Sequence, residues 1–186
     1  MQDQKFIENW KQNAPNYGSD SWERDPDFLY YIQGNIDLEV GKKLIETREQ
    51  FIQKNGIKAG ERVDVTDLHV TIALPGRLGT HFQKNDVSYM KKTLSHIFNK
   101  SAAIPLSIKN FNAFPSVLWT EVYDQSDRLQ SIHETICNEI PFSQHPEYRY
   151  QHYLPHISLL FEGKGKITDT DRSFEAIETK IQTIEF

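Results

Sequence analysis

Residues 67–75, DLHVTIALP, place Leu68, Val70, Ile72 and Leu74 on one side of an extended chain and His69, Thr71 and Ala73 on the other, because successive side chains of a strand point to opposite faces. Residues 153–161, YLPHISLLF, repeat the device, with His156 and Ser158 opposed to Ile157 and Leu159. Each stretch reads as a half-buried strand that presents one imidazole and one hydroxyl on its polar face. Residues two apart on a strand have Cα atoms about 6.6 Å apart, so both side chains of a pair can reach a single bound group.

Around these strands the chain repeats a theme of strand, helix and His-bearing strand. The run FLYYIQGNI (28–36) is rich in aromatic residues and reads as the opening strand, with Gly34 as a bulge or a point of close approach. Val40, Leu44, Ile45, Phe51 and Ile52 fall at helical spacing and stop at Asn55-Gly56, which predicts a helix over 38–54. Val87, Met90, Leu94, Ile97 and Phe98 form the apolar stripe of a second helix, capped by Asn85 or Asp86 and ending near Lys100. The second half opens with LSIKNFNAF and VLWTEVY, an antiparallel hairpin turned around Pro115-Ser116. A helix capped near Asp124 to Ser126 then buries Leu129, Ile132, Ile136 and Cys137, and SQHPEYRYQ reads as a loop. Near the end, Ile177, Thr179, Ile181 and Thr183 alternate with charged and polar residues before Ile184 and Phe186 shift the apolar face, which predicts a bend or bulge.

These elements predict an α+β fold with two antiparallel sheets, one per half, and the repeated theme suits an ancient duplication. Helices are expected on the outer faces and a cleft between the inner ones. Residues 28–186 form this domain. Residues 1–27 are polar, carry Pro15, Gly18 and Pro26, and read as an extension laid on the body, a short helix followed by a loop, with Trp10, Tyr17 and Trp22 as anchors.

Composition narrows the function. The 186 residues suit one domain. They contain no apolar run near the roughly 20 residues of a membrane span, and MQDQKFIENW lacks a signal-peptide core, so a soluble, cytoplasmic protein is expected. The single cysteine, Cys137, excludes an internal disulfide and a cysteine-based metal cluster. A net charge of −5 opposes the tracking of long nucleic acid and favours a small ligand or a chain end. Arg77, Lys84, Lys91, Lys92, Lys100 and Lys109 lie in an acid-poor stretch and read as a solvated face, or alternatively as a local basic patch.

Two His–hydroxyl pairs suit phosphodiester cleavage, which needs a base for the attacking hydroxyl or water, an acid for the departing oxygen, and donors for the phosphoryl oxygens. Histidine, with an ordinary pKa of about 6.5, populates both protonation states near neutrality. His69 and His156 are thus the candidate acid–base residues, with Thr71 and Ser158 holding the phosphate. No metal or other cofactor is required.

HVTI at 69–72 and HISL at 156–159, 87 positions apart (69 to 156), resemble the paired H-x-[TS]-x motifs of the 2H phosphoesterases. The resemblance covers the order of elements from about 28 to 186, including the FNAFP–VLWTEV hairpin. It implies a bilobal fold with an internal pseudo-twofold axis and activity on 2',3'-cyclic phosphates, 2'–5' linkages or related cyclic nucleotides and RNA ends. No membrane and no obligate protein partner are expected. YLPHISLLFEG is similar to the second motif of the cyclic phosphodiesterase subgroup, whereas RNA-ligase-like members often carry a basic residue where this chain has Phe161. The alternatives are a 2'–5' RNA ligase or nuclease and a non-catalytic RNA-end binding module.

Blander readings compete at other positions. His81 and His145 fall in predicted loops and His96 and His133 on helices, where surface placement is expected. A metal cluster of His145, His152 and His156 is opposed by Pro155, which disfavours the helix it would need. A serine nucleophile at Ser158 lacks a G-x-S-x-G elbow and leaves Thr71 unexplained. Among Tyr30, Tyr31, Phe114, Trp119 and Tyr153, most read as core, with Phe114 and Tyr153 kept as candidates to touch a base and Arg77 as a candidate phosphate contact.

Overall fold

A Cβ built on Gly34 would come within 2.5 Å of the Ile181 side chain, so this glycine lets two sheets press together. It belongs to β1 (Leu29–Asn35), and Ile181 ends β7 (Ile177–Ile181). In this computed structural model, which describes residues 2–19, 29–98, 103–140, 153–167 and 171–185, the smaller sheet orders β3 (His69–Arg77), β1 and β8 (Ile184–Glu185). The larger orders β2 (Glu61–Arg62), β6 (His156–Phe161), β5 (Val117–Tyr123), β4 (Ile104–Phe114) and β7. All their pairings are antiparallel, and the hairpin turns at Pro115-Ser116 as expected. The fold is the expected α+β arrangement of two antiparallel sheets.

The division of sheets by halves holds for the long strands and fails for two short ones. β2, from the first half, pairs with β6, and β8, from the end of the chain, pairs with β1. The bend foreseen near the C-terminus makes the second crossing: the strand breaks at Gln182 and Thr183, and the Asn35 N–H donates to the Thr183 carbonyl at 3.3 Å.

The helices follow their local signals. In α2 (Leu38–Asn55) the Asp37 side chain accepts from the Glu39 N–H at 2.8 Å, and Gly56, at φ 63°, ends the helix in the left-handed region that glycine tolerates. Its inner face buries Leu44, Phe51 and Ile52, and Arg48, 4% exposed, donates to the carbonyls of Val63 (2.7 Å) and Leu159 (3.2 Å). α3 (Lys84–Phe98) begins before Asn85, because the Asp86 carboxylate turns back to accept from the Gln83 N–H at 2.7 Å; Met90 and Leu94 are buried. α4 (Arg128–Glu139) is preceded by Asp124, whose carboxylate accepts from the N–H groups of Ser126 (2.9 Å) and Leu129 (2.6 Å). Cys137 is buried, as expected.

The N-terminal stretch contains α1 (Gln2–Asn13) and a 3-10 turn, Ala14–Asn16. Trp10 is half-buried and Tyr17 buried, whereas Trp22 lies outside the described residues, as does the loop expected at 143–151. The deepest anchor is Phe6, which is fully buried and which the sequence reading passed over. No helix among the described residues is long and apolar enough to cross a membrane.

Candidate active site

Strands β3 and β6, members of different sheets, run close beside one another and bring the two His-bearing sequences together. Their apolar sides are anchored: Val70, Ile72, Ile157 and Leu159 are all fully buried, each contributing about 1.5–3 kcal/mol. A one-residue slip of either strand would exchange these side chains with the histidines, so burial fixes which face the imidazoles occupy. His69, Thr71, His156 and Ser158 are half-buried on that face. The expected alternation of β3 stops at Ile72. Ile32 pairs with Ala73 and the next residue, Gln33, with Thr71, so Ile72 is an extra, bulged residue. Ala73 is consequently buried and Leu74 only half-buried.

Both histidines are held in the same way. His69 Nδ1 lies 2.7 Å from the carbonyl oxygen of Asp67, and His156 Nδ1 lies 2.7 Å from that of Leu154. A carbonyl only accepts, so Nδ1 carries the proton in each ring and Nε2 keeps the lone pair on the side away from its own backbone. The lock is made locally by the residue two positions earlier, and it is duplicated with the motif. Burial holds both imidazoles below their ordinary titration range. In each ring the backbone bond, to Asp67 or to Leu154, partly offsets this; the Asp67 carboxylate adds to the offset at His69, whereas a proton on His69 works against it at His156.

The walls differ. Tyr31, 41% exposed, stacks on His69 with ring centroids 5.0 Å apart and planes 13° from parallel. His156 instead meets the edge of Phe114 at 5.5 Å and the buried ring of Trp119 at 5.1 Å. Phe114, a candidate base contact, thus lies beside His156. Arg77 closes β3 opposite Leu29, and its side chain lies outside what the structure describes.

Tyr153 is corrected from a candidate base contact to a strut. It is buried, its hydroxyl donates to the Thr71 carbonyl at 3.2 Å, and its ring stacks on His133 at 4.1 Å with planes 4° apart. His133 is likewise corrected from the surface to the interior: at 1% exposure it donates from Nδ1 to the bulged Ile72 carbonyl at 2.6 Å. Two buried side chains from the second half thereby satisfy consecutive carbonyls of β3, and one of them stands three residues before His156. The missed signal was the apolar stripe of α4, since His133 lies beside Ile132 and one turn from Leu129, Ile136 and Cys137.

A profile described as the 2'-5' RNA ligase superfamily matches residues 45–186, a span holding both His strands. The chain belongs to this superfamily, that of the 2H phosphoesterases. No curated protein matches it. Solved structures with a similar fold include E. coli LigT complexed with 3'-AMP, at 17% identity and a TM-score of 0.61 over 83% of this chain and 84% of that one. LigT complexed with ATP aligns at 18% identity and a TM-score of 0.57 over the same shares. TT0787 of Thermus thermophilus aligns at 14% identity and 0.58 over 84% of this chain and 86% of that one. The superfamily match begins inside α2 and leaves α1 outside.

Proposed function

We propose that this 2H phosphoesterase superfamily member is a metal-independent phosphodiesterase that opens a 2',3'-cyclic phosphate, or a related cyclic nucleotide or RNA-end phosphodiester, to a monoester. The observation that carries the reading is the duplicated lock: two histidines whose Nδ1 protons are spent on backbone carbonyls, each with Nε2 left for proton transfer. With one ring neutral and the other charged, the neutral Nε2 takes a proton from water as its oxygen bonds to phosphorus. The charged ring gives its proton to the ribose oxygen as the phosphorus–oxygen bond breaks. Thr71 and Ser158 donate to the phosphoryl oxygens, and with the imidazolium they do the neutralising that a cation does elsewhere. That LigT has been solved with ATP and with 3'-AMP supports a nucleotide as ligand.

A 2'–5' RNA ligase or nuclease is the second reading, favoured by the name of the superfamily. The apolar Phe161, half-buried beside Phe6 and Trp119, supports the cyclic phosphodiesterase reading over it. Turnover of 2',3'-cyclic nucleotides, 2'–5' dinucleotides and ADP-ribose cyclic phosphate in EDTA tests both. A monoester product from the cyclic phosphates is expected. Loss of turnover in EDTA with rescue by one divalent metal would overturn the mechanism, and tight binding of RNA ends with no turnover of any substrate would leave a binding module.

A further inference from the structure

The polar face of β5 and β6 is not bare where it approaches His156. Phe6, Val117 and Trp119 form a buried cluster separate from the main core, with Phe114, Tyr123, Leu154 and Phe161 packed against it. Phe6 sits 5.9 Å from Trp119 and 5.1 Å from Tyr123, ring centroid to ring centroid; Trp119 touches Phe114 at 5.0 Å, and both of these rings touch His156. One contributor to the cluster comes from α1, in the part of the chain that the superfamily profile does not reach.

The sheet is built to receive that helix. Asn112, fully buried, donates from Nδ2 to the Phe6 carbonyl (2.9 Å) and to the Glu121 carboxylate (2.6 Å). Its Oδ1 accepts from Asn9 Nδ2 (2.8 Å) and from the Ala113 N–H (2.9 Å). All four of its hydrogen-bonding positions are filled, two of them by α1, and leaving them empty in a buried amide would be strongly unfavourable. Asn9 also donates to the Ala113 carbonyl at 2.9 Å and Gln2 to that of Val122 at 2.8 Å. A docked α1 is therefore the resting arrangement, and α1 is no loose lid.

We infer that α1 is a working part of the catalytic cleft: Phe6, seated behind Trp119, is a positioning residue that holds the aromatic wall against His156 and keeps water from that side of its ring. The inference rests on the proposed two-histidine chemistry for its consequence in turnover, but not for its physical content. Among the described residues, the charged groups around His156 are His69 on β3 and Glu121, its register partner on β5, which is paired with Arg172 and hydrogen-bonded by Asn110, Asn112 and Tyr123. α1 brings Phe6, Asn9 and Gln2 to the sheet, while its Asp3 carboxylate acts on Tyr123. Removing the Phe6 ring thus changes solvation beside His156 and adds no charge there.

The test is a titration of His69 and His156 by NMR in the full chain, with no substrate present. In Phe6→Ala the midpoint of His156 should rise by roughly half a pH unit, since admitting water removes the penalty on the charged ring, while His69 moves less. Phe6→Leu should return it most of the way. Asn9→Ala, which loosens the helix without touching the aromatic cluster, should shift it in the same direction by a smaller amount and provides the measurement if Phe6→Ala does not fold. Turnover of a 2',3'-cyclic nucleotide should fall about tenfold in Phe6→Ala, less than the roughly hundredfold that misplacing a catalytic group by about 1 Å can cost, because the bond to Leu154 still holds the ring. A His156 titration unchanged in a folded variant would overturn the inference and leave α1 a purely structural element. A shifted titration in a protein that turns over no phosphodiester would keep the inference and remove the proposed function.

Discussion

The two half-sites use one design and stand in different surroundings. Each offers a histidine locked through Nδ1 to a carbonyl two residues earlier, with a hydroxyl two residues later on the same strand face. Behind His69 stands Tyr31, at the surface on β1; behind His156 stand Phe114 and Trp119, and Phe6 backs Trp119. Duplicated chemistry cannot by itself give two equal groups opposite tasks, but different solvation and different neighbouring charges can push their titrations apart. The symmetry supplies the pair, and the walls make its members unequal.

The largest effects test the shared design. His69→Ala and His156→Ala should each lower turnover by about 10²–10⁴-fold while leaving the secondary structure intact, since each removes one proton-transfer group and neither ring belongs to the buried core. A variant that keeps its turnover would break the equivalence of the half-sites. Thr71→Ala and Ser158→Ala should lose about tenfold each, mainly as weaker hold on the phosphate, because each removes one donor and leaves both imidazoles in place. Steady-state kinetics on one cyclic nucleotide compares all four. A larger loss for Ser158→Ala than for His156→Ala would point to a serine nucleophile.

Most of what positions the pair was legible because it is local. Alternation in DLHVTIALP and YLPHISLLF announced the strands and their polar faces, and Asn55-Gly56 marked the end of α2. What escaped was set by distant partners. Nothing near His133 states that its ring will meet the carbonyl of Ile72, 61 residues earlier, and nothing near Tyr153 states that its hydroxyl will meet that of Thr71. Both carbonyls adjoin the bulge at Ile72, and a bulge is a property of two strands in register. Phe6 escaped for the same reason, since its partner, Trp119, lies in the second half.

The smallest effect separates the two walls. With one imidazole needed neutral and one charged, kcat/KM should follow a bell whose limbs belong to the coupled pair, and because burial lowers both titrations its maximum should fall on the acid side of the ordinary histidine value of about 6.5. The charge of His69 disfavours a proton on His156, while the Asp67 carboxylate favours one on His69, so the two titrations are pushed apart. With the shared proton on His69, the acid limb reports chiefly on His156 and the basic limb on His69. Tyr31 covers one face of His69 and stands at the surface, so Tyr31→Ala should fold normally and lose no more than a few-fold in rate. Uncovering the ring weakens the burial that holds His69 low, so its titration moves up toward about 6.5 and the basic limb moves up by a few tenths of a unit. Phe6→Ala should move the acid limb up instead. If both variants displace the same limb, the two walls do not act on separate histidines, and the inequality of the half-sites must come from the charges alone.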